Sequence, residues 1–131
     1  MSTKKQDVNK KLGQLEIAID AVATYCRKQS TSVTEFHRLG CHIDRTSEAG
    51  ENLAKILIKF GSSAIATAIE MLIGYEHEFG PVTQFAAFAA KIVVKGKRVE
   101  LKVTIDSQEE IDKDLDTFIR NLLTLGGVQN V

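Results

Sequence analysis

Lys91–Ile105, written KIVVKGKRVELKVTI, admits two opposed readings. Apolar and polar residues alternate along it, β-branched residues are frequent, and Lys95-Gly96-Lys97 offers a tight turn, all of which suits a β-hairpin. The positions leading into and through it, Phe85, Phe88, Ile92, Gly96, Val99 and Val103, are also spaced by three and four, the period of a helix face. Locally the two readings balance. An isolated two-stranded hairpin is marginal in water, and no other segment reads as a strand that would extend it into a sheet. The expectation is a helix through this stretch, with a small hairpin over 91–104, in an α+β fold, as the alternative.

Upstream, the helical period is sustained. Val8, Leu12, Leu15, Ile19, Val22 and Cys26 keep steps of three and four, and after a polar step at Gln29 the phase continues through Val33, Phe36, Gly40 and Ile43. Such a heptad seam keeps one stripe of a helix against a partner. It predicts one helix over 5–44, roughly 60 Å long at 1.5 Å per residue. A turn is expected near 45–50, where Thr46 or Ser47 can cap the next helix through a hydroxyl. The seam resumes at Leu53, Leu57, Phe60, Ala64, Ala68, Met71 and Tyr75, beside a row of small residues that reads as tight helix packing. Pro81, the only proline, cannot donate the helical hydrogen bond and follows Gly80, so it either kinks a continuing helix or begins a new one at its first turn; the expectation is a second helix over 51–105 with a kink there.

Downstream, Asp106 or Ser107 can cap a third helix over 107–125. Glu109 and Glu110 fall in its first turn, where the helix dipole favours negative charge. Ile111, Leu115, Phe118, Leu122 and Leu125 form its seam, and Gly126-Gly127 ends it. The expected fold is all-α: a single domain over 1–131, an elongated antiparallel helical hairpin with a shorter third helix. Leu12, Leu15, Ile19, Val22, Phe36, Ile43, Leu53, Leu57 and Phe60 are the expected core and dimer seam. A thin three-helix rod leaves many apolar residues uncovered unless a second rod buries them, at about 1.5–3 kcal/mol each, so a coiled-coil-like homodimer is expected.

Composition narrows the function classes. The chain of 131 residues has 17 Lys+Arg against 17 Asp+Glu, so any basic surface must be local. Cys26 and Cys41 form no zinc spacing and read as small buried hydrophobes of a cytoplasmic protein with reduced thiols. The polar N-terminus lacks the apolar core of a signal peptide. No phosphate-binding glycine loop, HExxH, CxxC or GxSxG occurs. His37 and His42 are five apart and diverge around a helix, and Glu76 and Glu78 diverge from His77 in the same way. No catalytic residue, metal or cofactor is expected, and the protein is read as non-enzymatic. With two Tyr and no Trp for base stacking, nucleic acid is a weak candidate partner.

The seam through Leu15-Glu16-Ile17-Ala18-Ile19-Asp20 to Phe36, the turn, and Leu53-Ala54-Lys55-Ile56-Leu57-Ile58-Lys59-Phe60-Gly61 together resemble the first two helices of a BAR-type domain. Pro81, Phe85 and the spaced Lys91, Lys95, Lys97 and Lys102 continue the likeness, which is to the ciliary BAR proteins and to the BAR regions of the GTPase-activating families and spans roughly residues 8–105. The resemblance implies a dimerising scaffold whose basic face meets anionic lipid, a peripheral membrane role. Lys91, Lys95, Lys97, Arg98 and Lys102 are the residues assigned to that face, five positive charges within twelve residues against one acid, Glu100. Three alternatives stand beside it: a solvated basic face balanced by Asp112–Asp116, a helical protein–protein adaptor, and a small nucleic-acid-associated subunit.

Overall fold

The computed structural model describes residues 2–85, 88–95, 98–105 and 108–112. Its first helix, α1, spans Ser2–Lys28. The apolar stripe foreseen for it is buried, with Leu12, Leu15, Ile19, Val22 and Cys26 all in the core. The helix does not run to residue 44. Ser30 adopts φ 55°, and the Ser30 N–H bonds to the Arg27 carbonyl while the Thr31 N–H bonds to the Cys26 carbonyl. This pair of bonds is the Schellman arrangement that ends a helix, here built on a serine instead of the usual glycine.

Ser32 then caps a short helix α2, Val33–Arg38, by accepting the Glu35 N–H at 3.0 Å. A second Schellman pair ends α2: the Gly40 N–H bonds to the His37 carbonyl and the Cys41 N–H to the Phe36 carbonyl. The chain crosses an irregular segment to Ser47, whose hydroxyl accepts the Gly50 N–H and caps α3, Glu48–Phe60. Cap and turn fall where the sequence placed them.

The second long helix is also divided. Gly61, at φ 93°, separates α3 from α4, Ser62–Phe79. Gly80, at φ 101°, ends α4. Only glycine adopts these angles without strain. Pro81 therefore does not kink a continuing helix. It leads into a single 3₁₀ turn, Val82–Gln84.

From Ala89 the chain is strand. β1 (Ala89–Lys95), β2 (Arg98–Ile105) and β3 (Gln108–Asp112) form an antiparallel sheet in the order β1-β2-β3. The helical expectation for 91–105 is corrected, and the hairpin alternative describes it. The expectation rested on the lack of a further strand, and β3 supplies one. The remaining stability comes from a helical layer to pack on: Ala90, Leu101 and Val103 are buried together with Phe88. The third-helix expectation fails over 108–112, which is strand, and its remainder, including Leu115, Phe118, Leu122 and Leu125, lies outside the described residues.

The whole is mostly helical with one small sheet, and the all-α expectation holds only that far. α1 packs against α3, α4 and β1 of its own chain. Leu12, Leu15, Ile19, Val22, Phe36 and Leu53 are buried by these neighbours, and Ile43 and Leu57 are partly buried against the core. The rod with an uncovered seam is replaced by helices that cover one another, so burial of the seam no longer requires a second chain. Tyr75 sits at the junction of helices and sheet, edge-on to Phe88 at 5.5 Å and beside Phe79 at 4.7 Å.

Candidate functional site: a basic hairpin held by carboxylates

The β1–β2 register sets Lys91 opposite Lys102 and Lys95 opposite Arg98. Strand residues alternate between faces with a period of two. Positions 91 and 95 share one phase of β1, and 98 and 102 the matching phase of β2. Four of the five basic residues singled out in the sequence thus fall at like-phase positions of one ribbon. Glu100 stands between the two pairs, opposite Val93. Lys97 lies outside the described residues. The opposite phase carries the buried Ala90, Leu101 and Val103, whereas Ala89, Lys91 and Thr104 are exposed and Lys102 is half-buried.

Like charges directly across an antiparallel pair repel. Lys91 and Lys102 make no ion pair among the described residues; those found are Arg38–Glu35 and Lys55–Glu51. The two basic pairs, four residues apart, are separated by about 13 Å along the strand.

The hairpin is anchored by one stripe of α1. The Ala90 N–H donates to Asp20 Oδ1 at 2.8 Å and the Ile92 N–H to Glu16 Oε2 at 2.8 Å. Further along, Arg27 Nε donates to the Phe85 carbonyl at 3.2 Å. The spacings match: four residues of helix rise about 6 Å, and two residues of strand about 6.7 Å. Two carboxylates one helical turn apart therefore meet alternate amides of β1, on the edge that faces away from β2. Burial is the main influence holding the Asp20 carboxyl above the usual carboxylate range; the Ala90 N–H opposes it and the charge of Glu16 adds to it. Nothing in the heptad reading singled out Glu16 and Asp20, since both lie off the seam.

Glu76 is a third carboxylate that sequence reasoning missed. It is 8 % exposed. It accepts the Val33 N–H at 3.0 Å, the Thr34 N–H at 2.8 Å, the Thr34 hydroxyl at 2.7 Å and the Val82 N–H at 2.9 Å. It thereby satisfies free amides at the start of α2 and fixes the chain just after Pro81. The available signal was its place one turn beyond Leu72 and one turn before Phe79, a polar residue on an apolar stripe. Its donors are structural amides and a hydroxyl, and the arrangement holds segments together instead of presenting a reactive group.

Other chemistry-bearing groups are dispersed. His37, His42 and His77 are exposed, and no three potential metal ligands gather among the described residues. Cys26 and Cys41 are unbridged, and burial pushes the Cys26 thiol up to about 12. A cleft of about 190 Å³ is lined by Tyr25, Gln29, Thr31, Phe36, Leu39 and His42, below the usual volume of a small-molecule site. No helix among the described residues is long and apolar enough to cross a membrane. No family model, curated protein or solved structure matches this chain.

Proposed function

We propose that the protein is a non-enzymatic scaffold that docks on anionic membrane surfaces through the basic hairpin, as a peripheral membrane protein of the cytoplasm. The observation that supports this reading is the register that sets Lys91 against Lys102 and Lys95 against Arg98. Each such cation contributes about 1 kcal/mol near an anionic leaflet. The reading keeps the lipid-facing role that the BAR-type resemblance implied and moves the basic face from a helical arm to a ribbon. The test is co-sedimentation with phosphatidylcholine vesicles, with and without phosphatidylserine. Binding should require the anionic lipid and weaken with salt, since the Debye length is about 8 Å at physiological ionic strength. The triple variant Lys91→Glu, Lys95→Glu, Arg98→Glu should lose it. Equal binding by parent and variant would overturn the reading. A steep salt-dependent shift with oligonucleotides in place of vesicles would move it to nucleic acid.

A second reading, a helical adaptor for a protein partner, is favoured by Ile58. This residue is 76 % exposed at the end of α3, beside Leu57 and Phe60, which are only partly buried. With the remaining seam covered within the chain, this apolar end of α3 is also where the proposed homodimer would form.

A further inference from the structure

We infer that residues 29–32 are a conformational switch: α1 and α2 join into one continuous helix in a second form of the chain, and the stripe this uncovers pairs with the same stripe of a second copy. The switch stands on the helices alone and does not rest on the membrane reading.

The sequence across the break suits a helix. Steps of three and four run from Leu12 to Cys26 and on through Gln29 to Val33 and Phe36 without losing phase. Residues 29–32, QSTS, contain neither glycine nor proline, the two residues that most oppose a helix interior. The break instead needs Ser30 in the left-handed region, at φ 55°, where a Cβ costs free energy that glycine does not. Local preference and observed conformation thus disagree at this one turn, and something outside it must hold the chain broken.

Glu76 is that restraint. Its carboxylate accepts the Val33 and Thr34 amides and the Thr34 hydroxyl, in the place where a preceding helical turn would bring the carbonyls of Gln29 and Ser30. Clamp and continuous helix therefore exclude each other. When the clamp opens, the amides of the break have other partners within reach. Ser30 exchanges the Arg27 carbonyl for that of Cys26, and Thr31 exchanges Cys26 for Arg27. Val33 and Thr34 turn to Gln29 and Ser30. The joined helix over 2–38 is a rod about 55 Å long. Straightening carries α2 off α4, against which it packs, and uncovers Val33 and Phe36, both buried in the broken form. They then extend the stripe of α1 beyond the cover its own chain supplies. An identical stripe on a second copy has the spacing to cover them. The broken form is the fold of the single chain, and the continuous form is the one that association favours.

The test is sedimentation velocity of the full chain without vesicles, in an Ile58→Asp background that removes the exposed end of α3 from any contact. Ser30→Ala combined with Glu76→Gln should give a dimer fraction that rises with concentration, together with more helix by circular dichroism. Ser30→Gly in place of Ser30→Ala should lower the association constant by about tenfold or more, since each of the two hinges in a dimer loses the strain that drives it. A folded Ser30→Ala/Glu76→Gln protein that stays monomeric at the parent's helicity would overturn the switch. So would a dimer indifferent to Ser30→Gly. Should the combined variant not fold, carbon relaxation dispersion on the parent decides. Ser30 and Thr31 should exchange with a minor state of helical shift, about fivefold less populated in Ser30→Gly, and a flat profile at both residues would overturn the switch.

Discussion

Glu76 shows how one side chain can close several segments at once. Its carboxylate meets four donors from α2 and the 3₁₀ turn. Hydrogen bonds to a charged acceptor contribute about 1.5–3 kcal/mol each, and removing the acceptor strands buried amides. Glu76→Ala should cost roughly 3 kcal/mol or more, read as a lowered urea midpoint, whereas Glu76→Gln keeps one acceptor oxygen and should cost less. A loss for Ala within experimental error of the parent would mean that water replaces the carboxylate. At this scale the sequence was legible for apolar groups and poorly legible for polar ones. Spacing alone marked Ile19, Val22 and Leu53, all fully buried. Glu16, Asp20 and Glu76 earn their places by reaching backbone amides dozens of residues away, and no local period records that. The Ser30 helix stop was hidden for a related reason: the left-handed position was filled by a residue that does not advertise it.

The hairpin tests the competition between element-level and whole-fold forces. Residues 91–105 carried both periods, and local propensity left them undecided. Burial of Ala90, Leu101 and Val103 on the helical layer, with β3 on the far side, decided for strand. The segment Gln108–Asp112 was misread because two glutamates after a capping residue suit a helix start as well as a charged outer strand. The Ser47 cap was legible because its chemistry is contained in four residues, whereas Ser32, which caps α2, was read as lying inside a longer helix. The cross-strand lysines supply an element-scale prediction with opposed readouts. Lys91→Glu turns a repulsive pair with Lys102 into an attractive one, and should stabilise the hairpin by about 0.2–1 kcal/mol. The same change should weaken binding to anionic vesicles. Thermal melting and co-sedimentation of this one variant therefore ought to move in opposite directions, and movement in the same direction would show that the basic ribbon serves the fold and not a ligand.

At the scale of the whole molecule, a long heptad seam concealed helices that turn back on themselves. Ser30, Gly40, Gly61 and Gly80 supply the reversals, and they let one chain cover its own stripe. Association then depends on what remains outside. Ile58→Asp should leave helicity unchanged and shift sedimentation velocity toward the 14.4 kDa monomer, while Leu53→Asp, at a fully buried position, should unfold the protein because an unpaired buried charge is expensive. A parent that sediments as a monomer throughout the micromolar range would remove the dimer from the proposal. The carboxylates of α1 bear on assembly in another way. A strand edge invites further strands, and that invitation is how cross-β fibrils grow. On the β1 side, Asp20 and Glu16 occupy the seats that a newcomer's carbonyls would take. The first helix thus guards the sheet from a foreign strand at Ala90 and Ile92.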